Sequence, residues 1–354
     1  MSTSTGTFNA AVFMGPGKFE YKEVPVRPLE DGEARIKVEA CAICGTDVRI
    51  YKMGQKNVVP PRITGHEICG VVTEVTPGAD VPPVGTRVIV LTPVGCGTCK
   101  FCKKKMPNLC PEINPLGYGY DGGFAEQMII PAEAMVQQPL IPVPDGVTPE
   151  QACLAEPLSC CINGQHFLDI EPDDVVLIYG AGPIGLMHVA LAKARDARKA
   201  ILADVNPDRL KEAEGFGADL LVNSAETDLK ALVDKETDGK GVDVIVTAAP
   251  VKQILVSSLD LAGVRARISW FASVPKDDPA ITIDPNIIHY KEISVFGVFA
   301  SNRAQYAEAL DLIASGKVDI DKFIYKTFPL SQIDEAFRTA MTGEGLKVIV
   351  KPEG

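Results

Sequence analysis

The sequence predicts an α/β protein whose second half is a doubly wound parallel sheet and whose first half is rich in metal-ligand residues. Three observations predict this. A glycine-rich turn, G-x-G-x-x-G at Gly180, Gly182 and Gly185, directly follows an apolar run; short apolar runs then alternate with helical stretches; and four cysteines are gathered within residues 96–110. A chain of 354 residues, 46% hydrophobic and 23% charged, is long enough for two domains with a core each, which excludes disorder. The opening MSTSTGTFNA has neither a basic start nor an apolar run, and no segment approaches the ~20 apolar residues of a membrane span, so a cytoplasmic location is expected. A formal charge of -11 without a long basic run disfavours nucleic acid and anionic membrane as partners.

In a reducing compartment a tight cysteine cluster reads as a metal site rather than as disulfides. Cys96, Cys99, Cys102 and Cys110 stand in C-x2-C-x2-C-x7-C order, whose short loops can turn the sulfurs toward one zinc. Such a closed site is structural, since it leaves no coordination position open. Lys100, Lys103, Lys104 and Lys105 either favour the thiolates or form a solvated basic loop.

Ligands for an open site come from three other segments. "EACAICGTDVRIY" supplies Cys44, Thr46 and Asp47, "TGHEICGVV" supplies His66 and Glu67, and "CLAEPLSCC" sets Glu156 in apolar surroundings where a carboxylate needs a strong partner such as a metal. The remaining cysteines, Cys41, Cys69, Cys153, Cys160 and Cys161, read as apolar packing, and His166, His188 and His289 as helix or loop residues.

From Val175 onward the pattern predicts strands at Val175–Tyr179, Ala200–Ala203, Val242–Thr247 and Ala266–Phe271, with a helix over Pro183–Ala194. Pro183 suits the first helical turn, and Ile184, Met187 and Leu191 share one face. Asp204 ends the second strand 24 positions after Gly180, near the ~20 expected of a ribose-binding acid. Gly180, Gly182, Pro183, Ile184, Gly185 and Asp204 therefore form a dinucleotide site of the Rossmann type, and the carboxylate favours NAD over NADP. Arg209 either covers the adenine or forms a surface salt bridge.

These motifs together resemble the zinc-containing medium-chain alcohol dehydrogenases, in particular their sorbitol (polyol) and L-threonine dehydrogenase branch. The resemblance runs through "CGTD", "GHE", the four-cysteine lobe, "AEPLS", "GAGPIG" and "ADVNPDRL". It implies a β-rich GroES-like catalytic domain, residues 1–157 completed by 298–354, with a Rossmann NAD-binding domain at 158–297 inserted in it. A helix over "SQIDEAFRTAM" with Ser331 as cap and a closing strand "LKVIVKP" accord with this return. It also implies one catalytic and one structural zinc per subunit, with Cys44 and His66 as catalytic-zinc ligands, Glu67 and Glu156 binding directly or through water, Thr46 as the relay hydroxyl, and assembly into a homodimer or homotetramer. The implied activity is hydride transfer between NAD and a small-molecule secondary alcohol, a polyol or sugar alcohol first and L-threonine or another amino alcohol second. A catalytically silent NAD-binding scaffold is the reading from another class, and the loss of zinc ligands that would mark it is not seen.

Two positions depart from that pattern. Arg49 stands where the family usually carries a histidine that ends the proton relay, and Ala300 follows Phe299 where sorbitol dehydrogenases place a substrate-holding arginine.

Overall fold

The computed structural model describes residues 6–353. The chain forms two compact units, one built of the residues up to Ser159 and those from Ala300 onward, the other of Cys160–Phe299.

The second unit is a six-stranded parallel sheet in the order Leu220–Asn223, Lys199–Asp204, Val175–Tyr179, Val242–Thr247, Ala262–Trp270 and Ser294–Gly297. The first strand in sequence lies at the centre, so the strand order reverses there, the place where open α/β sheets bind ligands beyond their carboxyl ends. Val175, Val176, Leu177 and Ile178 have no exposed surface, as expected of a strand covered on both faces. Helix Pro183–Ala194 follows with Pro183 in its first turn and buries Leu186, Met187, Val189 and Leu191, while Ile184 is only half-buried. The turn before it admits no side chain at Gly185: a Cβ there would stand 1.7 Å from the Gly180 carbonyl oxygen.

The first unit holds two sheets. In the larger one, of seven strands, Ile324–Pro329, Lys347–Lys351, Ala34–Ala42, Glu67–Val75, Arg87–Val90 and Leu140–Pro142 lie side by side, and Gln127–Ile130 pairs with Ala34–Ala42. The smaller sheet orders Lys18–Pro25, Thr7–Gly15 and Arg62–Ile63. Strand Ala34–Ala42 buries residues of both parities, including Ile36, Val38, Cys41 and Ala42, because it is central in its sheet. A shared core of Phe13, Ile36, Ile68, Phe124 and Phe337 fills the unit.

Helix Ile333–Thr342 inserts Phe337 into this core, with its ring centroid 4.8 Å from Phe19 and 5.6 Å from Phe124. Its expected cap is corrected by the structure. A 3-10 turn over Leu330–Gln332 leads into the helix and moves its N-cap to Gln332, while the Ser331 hydroxyl donates to Glu353 instead. Among the described residues no helix is long and apolar enough to cross a membrane.

Gly185→Ala must displace the backbone of the glycine turn. We expect about 1–3 kcal/mol of destabilisation, seen as a lower thermal midpoint of the Cys160–Phe299 unit, together with weaker dinucleotide binding. A midpoint and an affinity equal to wild type would show that the turn has room the geometry does not indicate.

Candidate active site and metal centres

The sulfurs of Cys96, Cys99, Cys102 and Cys110 all lie within 4.8 Å of one another. Backbone N–H groups of Cys96, Cys99, Cys102 and Glu112 point into this group, donating to Cys110, Cys96, Cys99 and Cys110 Sγ at 3.3–3.5 Å. Hydrogen bonds from the Thr98 side chain and from the backbone at Thr98 and Cys99 hold the Cys96 thiol down to about 6. Burial, with Cys99 and Cys110 beside it, pushes Cys102 up to about 12. Four thiolates this close cannot all ionise without a cation among them, and the donor set suits zinc. The four lysines between them are exposed, and Lys100 Nζ stands 4.9 Å from the centroid of the Phe101 ring.

A second group gathers Cys44, His66 and Glu67, whose ligand atoms also lie within 4.8 Å of one another. Cys44 immediately precedes helix Gly45–Met53, and His66 and Glu67 stand at the start of strand Glu67–Val75. Asp47, fully buried one turn into the helix, ties the two segments together. Its Oδ2 accepts from the Cys44 N–H at 3.0 Å and its Oδ1 pairs with His66 Nδ1 at 3.2 Å. With Nδ1 bonded to the carboxylate, His66 Nε2 is left to face a metal. Burial alone would lower the His66 pKa, but the charges of Asp47, Tyr118 and Cys44 outweigh it and raise the pKa well above its ordinary value.

Glu67 has no exposed surface and is met from the opposite end of the sequence. Lys347 Nζ donates to Glu67 Oε1 at 2.6 Å and to the Ile43 carbonyl at 3.0 Å. It also stands 2.5 Å from Glu67 Oε2, but without hydrogen-bond geometry, so that buried oxygen has no hydrogen-bond partner. Burial opposes the Lys347 charge, yet Glu67, Cys44 and Glu156 together hold its pKa raised. Glu156, in the first turn of helix Ala155–His166, lies outside the Cys44–His66–Glu67 group, though its charge acts on Lys347 and Tyr118.

Thr46 is half-buried with no hydrogen bond to its hydroxyl from the described residues. Arg49 is exposed and donates to Gln55 Oε1 at 2.9 Å. Tyr118 was not singled out by sequence reasoning, nor was Lys347. The Tyr118 ring centroid lies 5.3 Å from that of His66, and burial, with the charges of Asp47, Cys44 and Glu156, holds its phenol pKa raised against the opposing effect of His66.

In the second unit Asp204 is anchored at the glycine turn, accepting from the Ala181 N–H at 2.7 Å and the Asn206 N–H at 2.9 Å. Helix Pro183–Ala194 has no side-chain cap at Gly182, and a Cβ on Gly182 would meet only Arg209 Nη1, 4.0 Å away. An uncapped helix N-terminus with open space before it, a fixed carboxylate and an exposed guanidinium fit a dinucleotide.

Comparison with known proteins bears on both units. Residues 30–144 match the alcohol dehydrogenase GroES-like domain and residues 183–315 the zinc-binding dehydrogenase model. The chain is 33% identical to the D-arabitol-phosphate dehydrogenase of Enterococcus avium, covering 95% of each chain. It is 35% identical to the L-threonine 3-dehydrogenase of Thermococcus kodakarensis over 94% of each, and 32% identical to the sorbitol dehydrogenase of Bacillus subtilis over 97% of each. Among solved structures, an Escherichia coli alcohol dehydrogenase complexed with NADH superposes with a TM-score of 0.88 at 29% identity, covering 98% of this chain and 99% of that one.

Two outcomes follow from the site. Cys99→Ala should remove one of two zinc ions per chain and lower thermal stability, whereas Cys44→Ala should remove the other and leave stability near wild type; both are read by metal analysis and thermal unfolding. Loss of the same ion in both variants would refute two separate centres. Lys347→Met strands the buried Glu67 charge and should cost about 3–5 kcal/mol, with partial recovery when Glu67→Gln is added; equal unfolding midpoints for wild type and Lys347→Met would refute the pairing.

Proposed function

The chain belongs to the zinc-containing alcohol dehydrogenase family, and from that premise we propose that it is a zinc-dependent enzyme transferring a hydride between NAD and a secondary alcohol, a polyol or sugar alcohol. The observation that carries this is the gathering of Cys44, His66 and Glu67 around one point, with His66 oriented by a buried carboxylate.

In this reading Cys44 and His66 hold the catalytic zinc, with Glu67 or Glu156 completing its surroundings directly or through water, and Cys96, Cys99, Cys102 and Cys110 hold the structural one. Zinc, when bound, supplies the Lewis acidity that lets an alcohol lose its proton near neutral pH. Asp47 fixes the tautomer of His66 and strengthens Nε2 as a donor. Lys347 neutralises Glu67, which keeps the buried site from carrying an uncompensated anion. Thr46, with no other group on its hydroxyl, accepts the substrate proton and hands it to water. Arg49 cannot serve as the last base, because a guanidinium stays protonated at neutral pH and its side chain is turned to Gln55.

Asp204 retains acceptor capacity beyond its two backbone bonds, accepts from the adenosine ribose hydroxyls and repels a 2′-phosphate. Gly180, Gly182, Pro183, Ile184 and Gly185 shape the approach of the pyrophosphate, and Arg209 lies close enough to the turn to offer it positive charge. This reading includes a cytoplasmic setting and assembly as a dimer or tetramer, the latter to be checked by the mass in solution.

A second reading, oxidation of L-threonine, is favoured by the threonine dehydrogenases among the relatives. One screen separates the two: NAD reduction measured over polyols, sugar alcohols, L-threonine and simple secondary alcohols should be highest with a polyol or sugar alcohol. Highest turnover of threonine would replace the substrate class, and turnover of none would favour a silent scaffold. Asp204→Ser should raise the KM for NAD and narrow the preference over NADP. Equal efficiency of the wild type with both cofactors would refute the role given to Asp204.

A further inference from the structure

The stretch "PLGYGYDGGF" carries none of the ligands, yet it lies directly on the segment that does. Gly122, Gly123 and Phe124 donate backbone hydrogen bonds to Ile63, Gly65 and Thr64 carbonyls at 2.9–3.0 Å. Contact is close enough that a Cβ on Gly117 would stand 2.6 Å from the Gly65 carbonyl oxygen and 3.2 Å from His66 Cβ, and one on Gly122 only 2.1 Å from the same oxygen. On the near side, Leu116 is tied to the Thr92 carbonyl at 3.0 Å and Gly117 to that of Tyr120 at 3.0 Å. The loop is thus bonded at one end to the Ile63–Gly65 backbone and at the other to Thr92, with Gly117 and Gly122 both packed on the Gly65 carbonyl. Tyr118, between these attachments, has little freedom to leave.

What this loop presents is a phenol. The Tyr118 ring packs on the His66 imidazole at 5.3 Å between centroids and 44° between planes, within electrostatic reach of Cys44, Asp47 and Glu156. Its hydroxyl has no hydrogen-bond partner among the described residues and keeps some exposed surface on a residue that is otherwise half-buried. At neutral pH a phenol carries its proton and both donates and accepts. The Thr46 hydroxyl, two residues from Cys44, is likewise unengaged. The metal-ligand group therefore has two unengaged hydroxyls in the segments around it, where a substrate with one oxygen needs only one.

We propose that Tyr118 is a specificity-determining residue whose phenol hydrogen-bonds a second substrate oxygen, on the carbon next to the one oxidised, so that the site selects vicinal diols over isolated secondary alcohols. This rests on the reading of Cys44 and His66 as the reaction centre. It names a residue and a substrate feature that the ligand set alone does not supply.

The test uses Tyr118→Phe, which keeps the ring against His66 and removes only the hydroxyl. Wild type and variant are loaded with cobalt at the Cys44–His66 site. Affinities for 2,3-butanediol and for 2-butanol are then read from the visible absorption of the cobalt, with NADH present, and kcat/KM for both alcohols is measured on the zinc enzymes. The preference for the diol, expressed as a ratio of affinities, should fall about tenfold in Tyr118→Phe, and the ratio of kcat/KM should fall with it. An unchanged ratio, or a wild type that binds both alcohols equally or neither, overturns the proposal. Diol-selective binding that depends on Tyr118 in an enzyme that oxidises neither alcohol would instead sink the dehydrogenase reading and leave Tyr118 as a diol contact.

Discussion

The region around Cys44, His66 and Glu67 is governed by buried negative charge that has to be balanced. Asp47 and Glu67 are essentially without exposed surface, and Cys44 and Glu156 lie close by. Against them the protein sets one buried lysine and a histidine whose pKa is driven upward. Desolvated carboxylates are costly unless paired and hydrogen-bonded, so the positions of Asp47, His66, Glu67 and Lys347 are mutually dependent. The side-chain ties from Asp47 and Lys347 join the helix start at Gly45 to the strand start at Glu67, which the ladder from Ala42 holds as well.

The same balance explains how two carboxylates in similar depth take different tasks. Asp47 accepts one backbone and one imidazole hydrogen bond and so works as a brace. Glu67 has one oxygen on Lys347 and the other without a hydrogen bond, beside Cys44 and His66. In the second unit a carboxylate again does bracing work, as Asp204 pins the glycine turn through Ala181 before any ribose arrives.

Much of this was legible in sequence because it depends on local spacing. The turn at Gly180–Gly185, the strands Val175–Tyr179 and Val242–Thr247 and the cysteine run at 96–110 are each set by neighbours a few residues apart, so pattern and geometry coincide. Lys347 was not legible, since it meets Glu67 from 280 positions away and a lysine in "LKVIVKP" looks like an edge-strand solubiliser. Tyr118 was hidden for a different reason: the glycines around it read as a turn, and only the approach to Gly65 shows that they are packing residues. Ser331 misled because a serine ahead of an apolar periodic stretch is an ordinary cap, and nothing local signals that Glu353 will claim its hydroxyl.

The place of Lys347 in the final strand, Lys347–Lys351, has a consequence for biosynthesis. Cys44, His66, Glu67 and Glu156 leave the ribosome well before the lysine that pairs with Glu67, with the whole Cys160–Phe299 unit made in between. A nascent chain that lacks this strand therefore carries Glu67 without its lysine, and the cost of burying that carboxylate is not offset until synthesis ends. Completion of the last strand is what gives Glu67 its cationic partner.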